Sequence, residues 1–131
     1  LARALGLVGL IEQRAGDLSQ GDKRKLEIAR ALAAEPLVLI LDEPAAGLSA
    51  EEAAVLCSLL ERLRTNGLAV ILVEHHMDVI MRVCDRITVL DRGNVIAEGT
   101  PREIQDDPEV RRAYLGVQRN DMDNAPAGND V

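Results

Sequence analysis

Two short apolar runs constrain the fold of this chain more than any other feature. Residues 37–41 and 68–73 contain only aliphatic side chains, and each run is followed at once by acidic or imidazole side chains. The first run is short and follows Pro36, so it predicts a strand that is buried on both faces of a sheet. A helical pattern over residues 50–65 connects the two runs. This alternation indicates an α/β protein with a parallel sheet.

Further helices and a hairpin are predicted around this strand–helix–strand unit. Ser49 and Glu52 have the spacing of a capping box at the start of the helix over 50–65. The other predicted elements are helices over 1–16, 22–34 and 77–84, strands at 86–90 and 94–98 joined by a turn at 91–93, and two short helices that open near residues 100 and 107. Residues 117–131 are polar and predict a disordered tail.

The composition excludes several classes of function. The 131 residues include 15 Lys+Arg and 22 Asp+Glu, which gives a net charge of −7 and argues against nucleic acid as a partner. Phe and Trp are absent, so the chain lacks the aromatic side chains on which the bases of single-stranded nucleic acid usually stack. No apolar run approaches the ~18 residues that span a bilayer, so we expect no direct membrane insertion. Cys57 and Cys84 lack CxxC spacing and predict buried, reduced thiols.

Three polar groups are expected at one rim of the sheet. Ligands of parallel sheets bind beyond the carboxyl ends of the strands, where Asp42, Glu43 and His75 all fall. Asp42 can hold Mg²⁺ through a water, Glu43 can orient or deprotonate an attacking water, and His75 can donate to a phosphoryl oxygen. Alternatively, Asp42 caps the next turn and Glu43 is solvated. We expect no metal site at His75 and His76, because neighbouring side chains at a strand end point to opposite sides and HxxxH spacing is missing.

A candidate anion site lies where the helix over 22–34 begins. The Ser19 hydroxyl, free backbone N–H groups and the helix dipole can together bind phosphate. Gly21 would let a ligand approach the backbone closely. Alternatively, Ser19 and Asp22 form a capping box and bind no ligand.

Taken together and in order, these residues resemble the nucleotide-binding domain of ABC ATPases. The signature motif of the family is similar to Leu18, Ser19, Gln20, Gly21 and Asp22, and its Walker B strand is similar to residues 37–42. Glu43 stands where the family has its catalytic glutamate, and His75 where it has the switch histidine. The D-loop of the family falls at Ala46, Gly47, Leu48 and Ser49. Residues 93–101 resemble the family's hairpin near its C-terminus. The resemblance covers residues 1–116 and implies the C-terminal half of a P-loop NTPase domain, with a parallel sheet, flanking helices, a β-hairpin and short helices.

Three segments resemble one branch of this family. Residues 24–32, 73–77 and 113–116 are similar to the branched-chain amino acid importers, and the lipopolysaccharide-export ATPase is similar in the same segments. The resemblance implies a motor subunit that binds ATP and Mg²⁺, hydrolyses ATP, and lies peripherally at the cytoplasmic face of the membrane. It implies a second ATP-binding subunit and transmembrane permease subunits as partners, with the signature motif acting in trans. The remaining alternatives are a non-transport ABC ATPase and an inactive remnant that only binds.

Several positions depart from the family pattern. Gln20 stands where the signature usually has Gly, Asp22 where it usually has Gln, and Ser49 where the D-loop usually ends in Asp. The Asp22 carboxylate would repel the triphosphate unless Lys23, Arg24 or the geometry of the helix cap turns it away.

The phosphate-binding loop G-x-x-x-x-G-K-[ST] is absent from this sequence. The only lysines, Lys23 and Lys25, follow Asp22 and Arg24 rather than glycine. We therefore interpret the chain as the C-terminal half of a domain about twice as long. We expect residues 1–131 alone to lack ATPase activity, and to be poorly soluble or oligomeric because an apolar strand edge is open.

Overall fold

Two α/β units follow one another along the chain. The computed structural model describes residues 2, 3 and 5–114, and the units divide between Cys84 and Asp85. The first unit contains two 3₁₀ helices (Val8–Leu10 and Ala15–Asp17), α1 (Gln20–Leu32), β1 (Val38–Asp42), α2 (Ala50–Thr65), β2 (Ala69–Val73) and α3 (Met77–Val83). The second contains β3 (Ile87–Asp91), β4 (Asn94–Gly99), α4 (Pro101–Asp106) and α5 (Pro108–Tyr114).

The parallel sheet of the first unit is covered on one face only. β1 and β2 pair in parallel, with Asp42 opposite Val73. Leu39 is buried among residues of the helices, whereas Ile40 is 66% exposed and Ile71 is 52% exposed. The prediction of a strand buried on both faces is therefore wrong for the part of the chain described. The helices of this unit pack against one face, and no described element of the same unit covers the other.

The core of the first unit is aliphatic and joins the sheet to the helices. α2 packs an apolar stripe into this core, since Leu56, Leu59 and Leu60 are buried and Leu63 is partly buried. The other buried members are Leu5, Leu7, Ile28, Ala29, Leu39, Ala45, Cys57, Val79 and Val83. Cys57 and Cys84 form no disulfide among the residues described; Cys57 is buried as predicted, whereas Cys84 is only partly buried.

The helix predicted over residues 1–16 is wrong. The segment forms two 3₁₀ helices instead. Gly6, which precedes both of them, has a φ of +71°. A left-handed glycine interrupts the α-helical pattern, which also carries the entropic cost of Gly9. The next helix, α1, begins earlier than predicted, so that Ser19 becomes its N-cap.

The second unit is a hairpin followed by two short helices, as predicted. Arg92 and Gly93 connect the strands with φ values of 48° and 81°, which is the pattern of a type I′ turn. Thr100 and Glu103 form a capping box at the start of α4. None of the described helices is long and apolar enough to cross a membrane. The tail predicted at residues 117–131 lies outside the described residues.

Candidate functional site

The carboxyl ends of β1 and β2 bring Glu43 and His75 together. The Glu43 backbone N–H donates to the Val73 carbonyl at 2.8 Å, so the residue after β1 is bonded to the end of β2. Glu43 Oε1 lies 3.5 Å from His75 Nδ1, and the two side chains are 54% and 59% exposed. The structure thus places the predicted acid and imidazole side by side at an accessible edge of the sheet.

Glu43 has a left-handed backbone with a φ of 43°. This conformation is uncommon for residues other than glycine and costs about 1–3 kcal/mol, so it persists only where the surroundings enforce it. Here the Glu43 N–H bonds to Val73, the Glu43 carbonyl accepts from the Ala46 N–H at 3.1 Å, and the intervening Pro44 and Ala45 are buried. Packing and hydrogen bonds therefore fix the chain on both sides of Glu43.

Asp42 is the last residue of β1 and is exposed. Within the described part of the chain, no side chain or backbone group hydrogen bonds to its carboxylate, so the alternative role as a cap of the next turn is not observed. An exposed carboxylate with open lone pairs suits a cation that retains its own waters, which is how Mg²⁺ is usually bound.

The Glu74 side chain joins the segments that follow β1 and β2 through hydrogen bonds. Its side chain is fully buried, with a relative exposure of 0%. Its Oε1 accepts from the Ala45 N–H at 2.8 Å; its Oε2 accepts from the His75 N–H at 2.9 Å and the His76 N–H at 3.1 Å and lies 2.7 Å from His76 Nδ1. Burial raises the pKa of the Glu74 carboxyl, but the hydrogen bonds from His76 and the backbone outweigh it, so the pKa lies below that of an ordinary glutamate.

The sequence patterns do not single out Glu74 as a functional residue. The available signal was an acid directly after an apolar strand, which is costly to bury unless several donors surround it. The expectation that His75 and His76 point to opposite sides is wrong, because their ring centroids lie 4.3 Å apart. Their ring nitrogens and a Glu74 oxygen lie within 4.8 Å of one another. Both Glu74 oxygens already accept hydrogen bonds, so a metal there would have to displace them.

A second cluster of the predicted residues lies at the start of α1. Ser19 Oγ accepts from the Asp22 N–H at 3.1 Å and donates to Asp22 Oδ2 at 2.9 Å. Lys25 Nζ donates to Asp22 Oδ1 at 2.8 Å, and these side-chain bonds from Lys25 and Ser19 lower the pKa of Asp22. The cation beside Asp22 is thus Lys25 rather than Lys23 or Arg24, because residues three apart are neighbours on a helix.

Glu52 joins the predicted D-loop to the start of α1. The predicted capping box is confirmed, since the Glu52 N–H donates to Ser49 Oγ at 3.2 Å and the Ser49 N–H donates to Glu52 Oε2 at 3.0 Å. The other oxygen, Oε1, accepts from the Gly21 N–H at 3.1 Å. A Cβ at Gly21 would lie 2.7 Å from that oxygen, so this close approach needs glycine.

The remaining predicted residues surround these two clusters. Leu18 is half-buried, and Gln20 is exposed in the first turn of α1. Ala46 and Gly47 are exposed between β1 and α2, and Leu48 packs partly buried against the core.

Comparisons with known proteins identify the family. Residues 1–46 match the family model described as ABC transporter. Residues 94–119 match a second family model, described as branched-chain amino acid ATP-binding cassette transporter. The high-affinity branched-chain amino acid transport ATP-binding protein LivG of Salmonella typhimurium is 44% identical over 113 residues, which are 86% of this chain and 44% of LivG. This chain belongs to the ABC transporter ATP-binding family. Proteins of this family bind ATP.

Two further similarities extend the comparison. The lipopolysaccharide export system ATP-binding protein LptB of Escherichia coli is 43% identical over 99 residues, which are 76% of this chain and 41% of LptB. The crystal structure of the ADP conformation of MJ1267, an ATP-binding cassette of an ABC transporter, superposes with a TM-score of 0.80 at 31% identity over 88% of this chain and 47% of MJ1267. The predicted ABC-type α/β fold is confirmed. The chain spans less than half the length of the curated relatives that it matches.

Proposed function

We propose that this chain is the C-terminal part of an ATP-hydrolysing subunit that drives an importer of branched-chain amino acids. The observation that carries the proposal is the Glu43–His75 pair at 3.5 Å beyond the Walker B strand. An acid and an imidazole at the carboxyl end of a parallel sheet suit phosphoryl transfer, in which positioning and charge neutralisation supply most of the catalysis. Residues 1–116 would form this part of the nucleotide-binding domain.

Each side chain at the edge has a role that follows from its surroundings. Asp42 would hold Mg²⁺ through a water, because its carboxylate is exposed and open. The ion supplies charge neutralisation at the terminal phosphates when it is bound. Glu43 would orient or deprotonate the attacking water. His75, which turns Nδ1 toward Glu43, would donate from its other ring nitrogen to a phosphoryl oxygen.

The second cluster would act on a nucleotide held by another subunit. In this proposal Ser19 and Gly21 of the signature motif (residues 18–22) contact the terminal phosphate of an ATP bound to a second ATP-binding subunit, identical or different. The D-loop at residues 46–49 lies next to the same motif through Glu52. When the two ATP-binding subunits close on the bound ATP, transmembrane permease subunits would receive that motion. The protein would therefore lie peripherally at the cytoplasmic face of a membrane.

The branched-chain assignment rests on the C-terminal segment rather than on overall identity. LivG and LptB are almost equally similar, at 44% and 43% identity, so identity does not separate an amino acid importer from a lipopolysaccharide exporter. The match of residues 94–119 to the branched-chain family model favours the importer.

The decisive experiment uses the ATP-binding subunit that contains this sequence, assembled with its permease subunits in vesicles. Glu43→Gln should reduce ATP turnover below one hundredth of wild type while ATP binding remains, because the base is lost and the phosphate contacts are not. Glu12→Gln, a change at another exposed acid, should leave turnover unchanged. The 131 residues alone should show no turnover.

The outcomes separate the alternatives. Unchanged kcat in Glu43→Gln would overturn the role given to Glu43, and steady turnover by the 131 residues alone would contradict the need for a separate phosphate-binding loop. Stimulation of ATPase activity by a receptor loaded with leucine supports the importer. Stimulation by lipopolysaccharide instead would assign the chain to the export branch.

A further inference from the structure

The end of β2 holds the chain on both sides of Glu43. Val73 accepts a hydrogen bond from the Glu43 N–H at 2.8 Å, and the next residue, Glu74, accepts one from the Ala45 N–H at 2.8 Å. The two amides flank the left-handed backbone of Glu43, whose φ is 43°. One pair of consecutive residues therefore enforces the conformation that carries the Glu43 side chain.

The same carboxylate also fixes the turn that carries His75. Glu74 Oε2 accepts from the His75 N–H at 2.9 Å and from the His76 N–H at 3.1 Å. Both backbone segments of the acid–imidazole pair are thus bonded to a single side chain with 0% exposure. A side chain without access to water has few alternative conformations, so it can hold two loops at a constant separation.

We propose that Glu74 is a positioning residue that sets the separation of Glu43 and His75 for ATP hydrolysis. The inference rests on the proposed function. Glu74 contacts neither substrate nor the reacting atoms in this proposal; it acts through the backbone of Ala45 and His75.

The number of donors explains why a carboxylate is needed here. Three backbone N–H groups and the His76 ring converge on two oxygens, and an ionised carboxylate offers about four lone-pair sites without any donor of its own. A glutamine of the same length offers one oxygen, and its NH₂ group would face N–H donors. One of the two loops would then lose its bond.

The test compares three variants of the complete ATP-binding subunit in its transporter. Glu74→Gln keeps the length but loses one acceptor. Glu74→Asp keeps the charge but is shorter by one methylene, so it can still bond the amides that follow it but does not reach Ala45. His76→Ala removes only the ring and leaves the backbone bonds, and it serves as the matched control.

We expect Glu74→Gln and Glu74→Asp each to lower kcat at least tenfold, with the KM for ATP changed less than twofold. The kcat is expressed per site that binds a fluorescent ATP analogue, so loss of folded protein does not count as loss of kcat. His76→Ala should change kcat less than threefold. A purely structural role would lower the number of binding sites and leave kcat per site unchanged.

Wild-type kcat per site in either folded variant would overturn the proposal, and Glu74→Asp decides the question if Glu74→Gln does not fold. The result is separable from the proposed function. If Glu43→Gln abolishes turnover while the Glu74 variants retain it, only the positioning role fails. If Glu43→Gln leaves turnover intact, the proposed function itself fails.

Discussion

Glu74 and Glu52 each connect two segments of the candidate site, but they do so in different surroundings. The Glu74 side chain has 0% exposure, and its oxygens accept from three backbone amides. Glu52 lies at the partly buried start of α2 and accepts from two, those of Ser49 and Gly21. The Glu74 carboxylate thus joins the two segments that follow β1 and β2, whereas the Glu52 carboxylate joins the first turns of α1 and α2.

This difference separates a preorganised edge from one whose donors are already occupied. At the carboxyl ends of β1 and β2, Glu43 and His75 are exposed and lie 3.5 Å apart, next to the Glu74 side chain with its 0% exposure. At the start of α1, the Ser19 hydroxyl donates to Asp22 and the Gly21 amide donates to Glu52. Both groups expected to bind phosphate thus have a carboxylate as partner. A phosphate that binds at the start of α1 therefore has to replace an existing contact.

The largest effect is expected from removing the buried anchor. Glu74→Gln should lower the free energy of unfolding by about 2–3 kcal/mol at pH 7, the usual worth of hydrogen bonds to a charged group. Since the pKa of Glu74 is lowered in the folded state, its contribution is complete above the unfolded pKa of about 4.3. That contribution is lost as the pH falls through the lower folded value.

Urea unfolding of wild type and Glu74→Gln at pH 7 and pH 3 measures this contribution. The difference between the two proteins should shrink at pH 3. A difference that is equal at both pH values would mean that the charge of Glu74 contributes nothing to stability.

An effect of intermediate size is expected from Gly21→Ala at the start of α1. The new Cβ would lie 2.7 Å from Glu52 Oε1, so the Glu52 carboxylate must move away. The lost hydrogen bond costs about 1 kcal/mol, and the better helix propensity of alanine returns about 0.5–1 kcal/mol. Stability should therefore stay nearly constant while ATP turnover falls about tenfold, because the methyl group also blocks approach to the backbone.

Gly16→Ala is the matched control for this change, since a Cβ there has no neighbour within 4 Å. It should alter neither turnover nor unfolding. If Gly21→Ala retained full turnover, close approach to the Gly21 backbone would not be part of the reaction.

The smallest effect is expected from Asp22→Asn. The substitution removes a negative charge that Lys25 balances only in part, since the pair lies at an accessible helix start with side-chain exposures of 25% and 24%. The KM for ATP should fall about threefold at low salt and the gain should shrink at high salt, because salt screens exposed charges. Asp17→Asn, at another exposed acid, should change neither the KM for ATP nor its dependence on salt. A raised KM for Asp22→Asn would show that the carboxylate helps to order the signature.

Local signals in the sequence predicted most elements and part of the site. The apolar runs predicted β1 and β2, and the Ser49–Glu52 spacing predicted the start of α2, because both signals act between near neighbours. The prediction of a helix over residues 1–16 was wrong because the left-handed glycine at position 6 interrupts an otherwise helical pattern. The prediction that β1 is buried on both faces was wrong because burial depends on which elements cover a strand. The apolar run carries no information about those elements.

The order of residues along the chain is enough to place acids and an imidazole after two parallel strands, and a serine and a glycine at the start of the preceding helix. The groups that hold these residues in place are known only from the folded chain. The Ala45–Glu74 bond spans 29 residues and the Gly21–Glu52 bond spans 31. No periodicity or capping pattern extends that far along a chain. Such contacts exist only because the aliphatic core brings the ends of β1 and β2, and the first turns of α1 and α2, within hydrogen-bond distance.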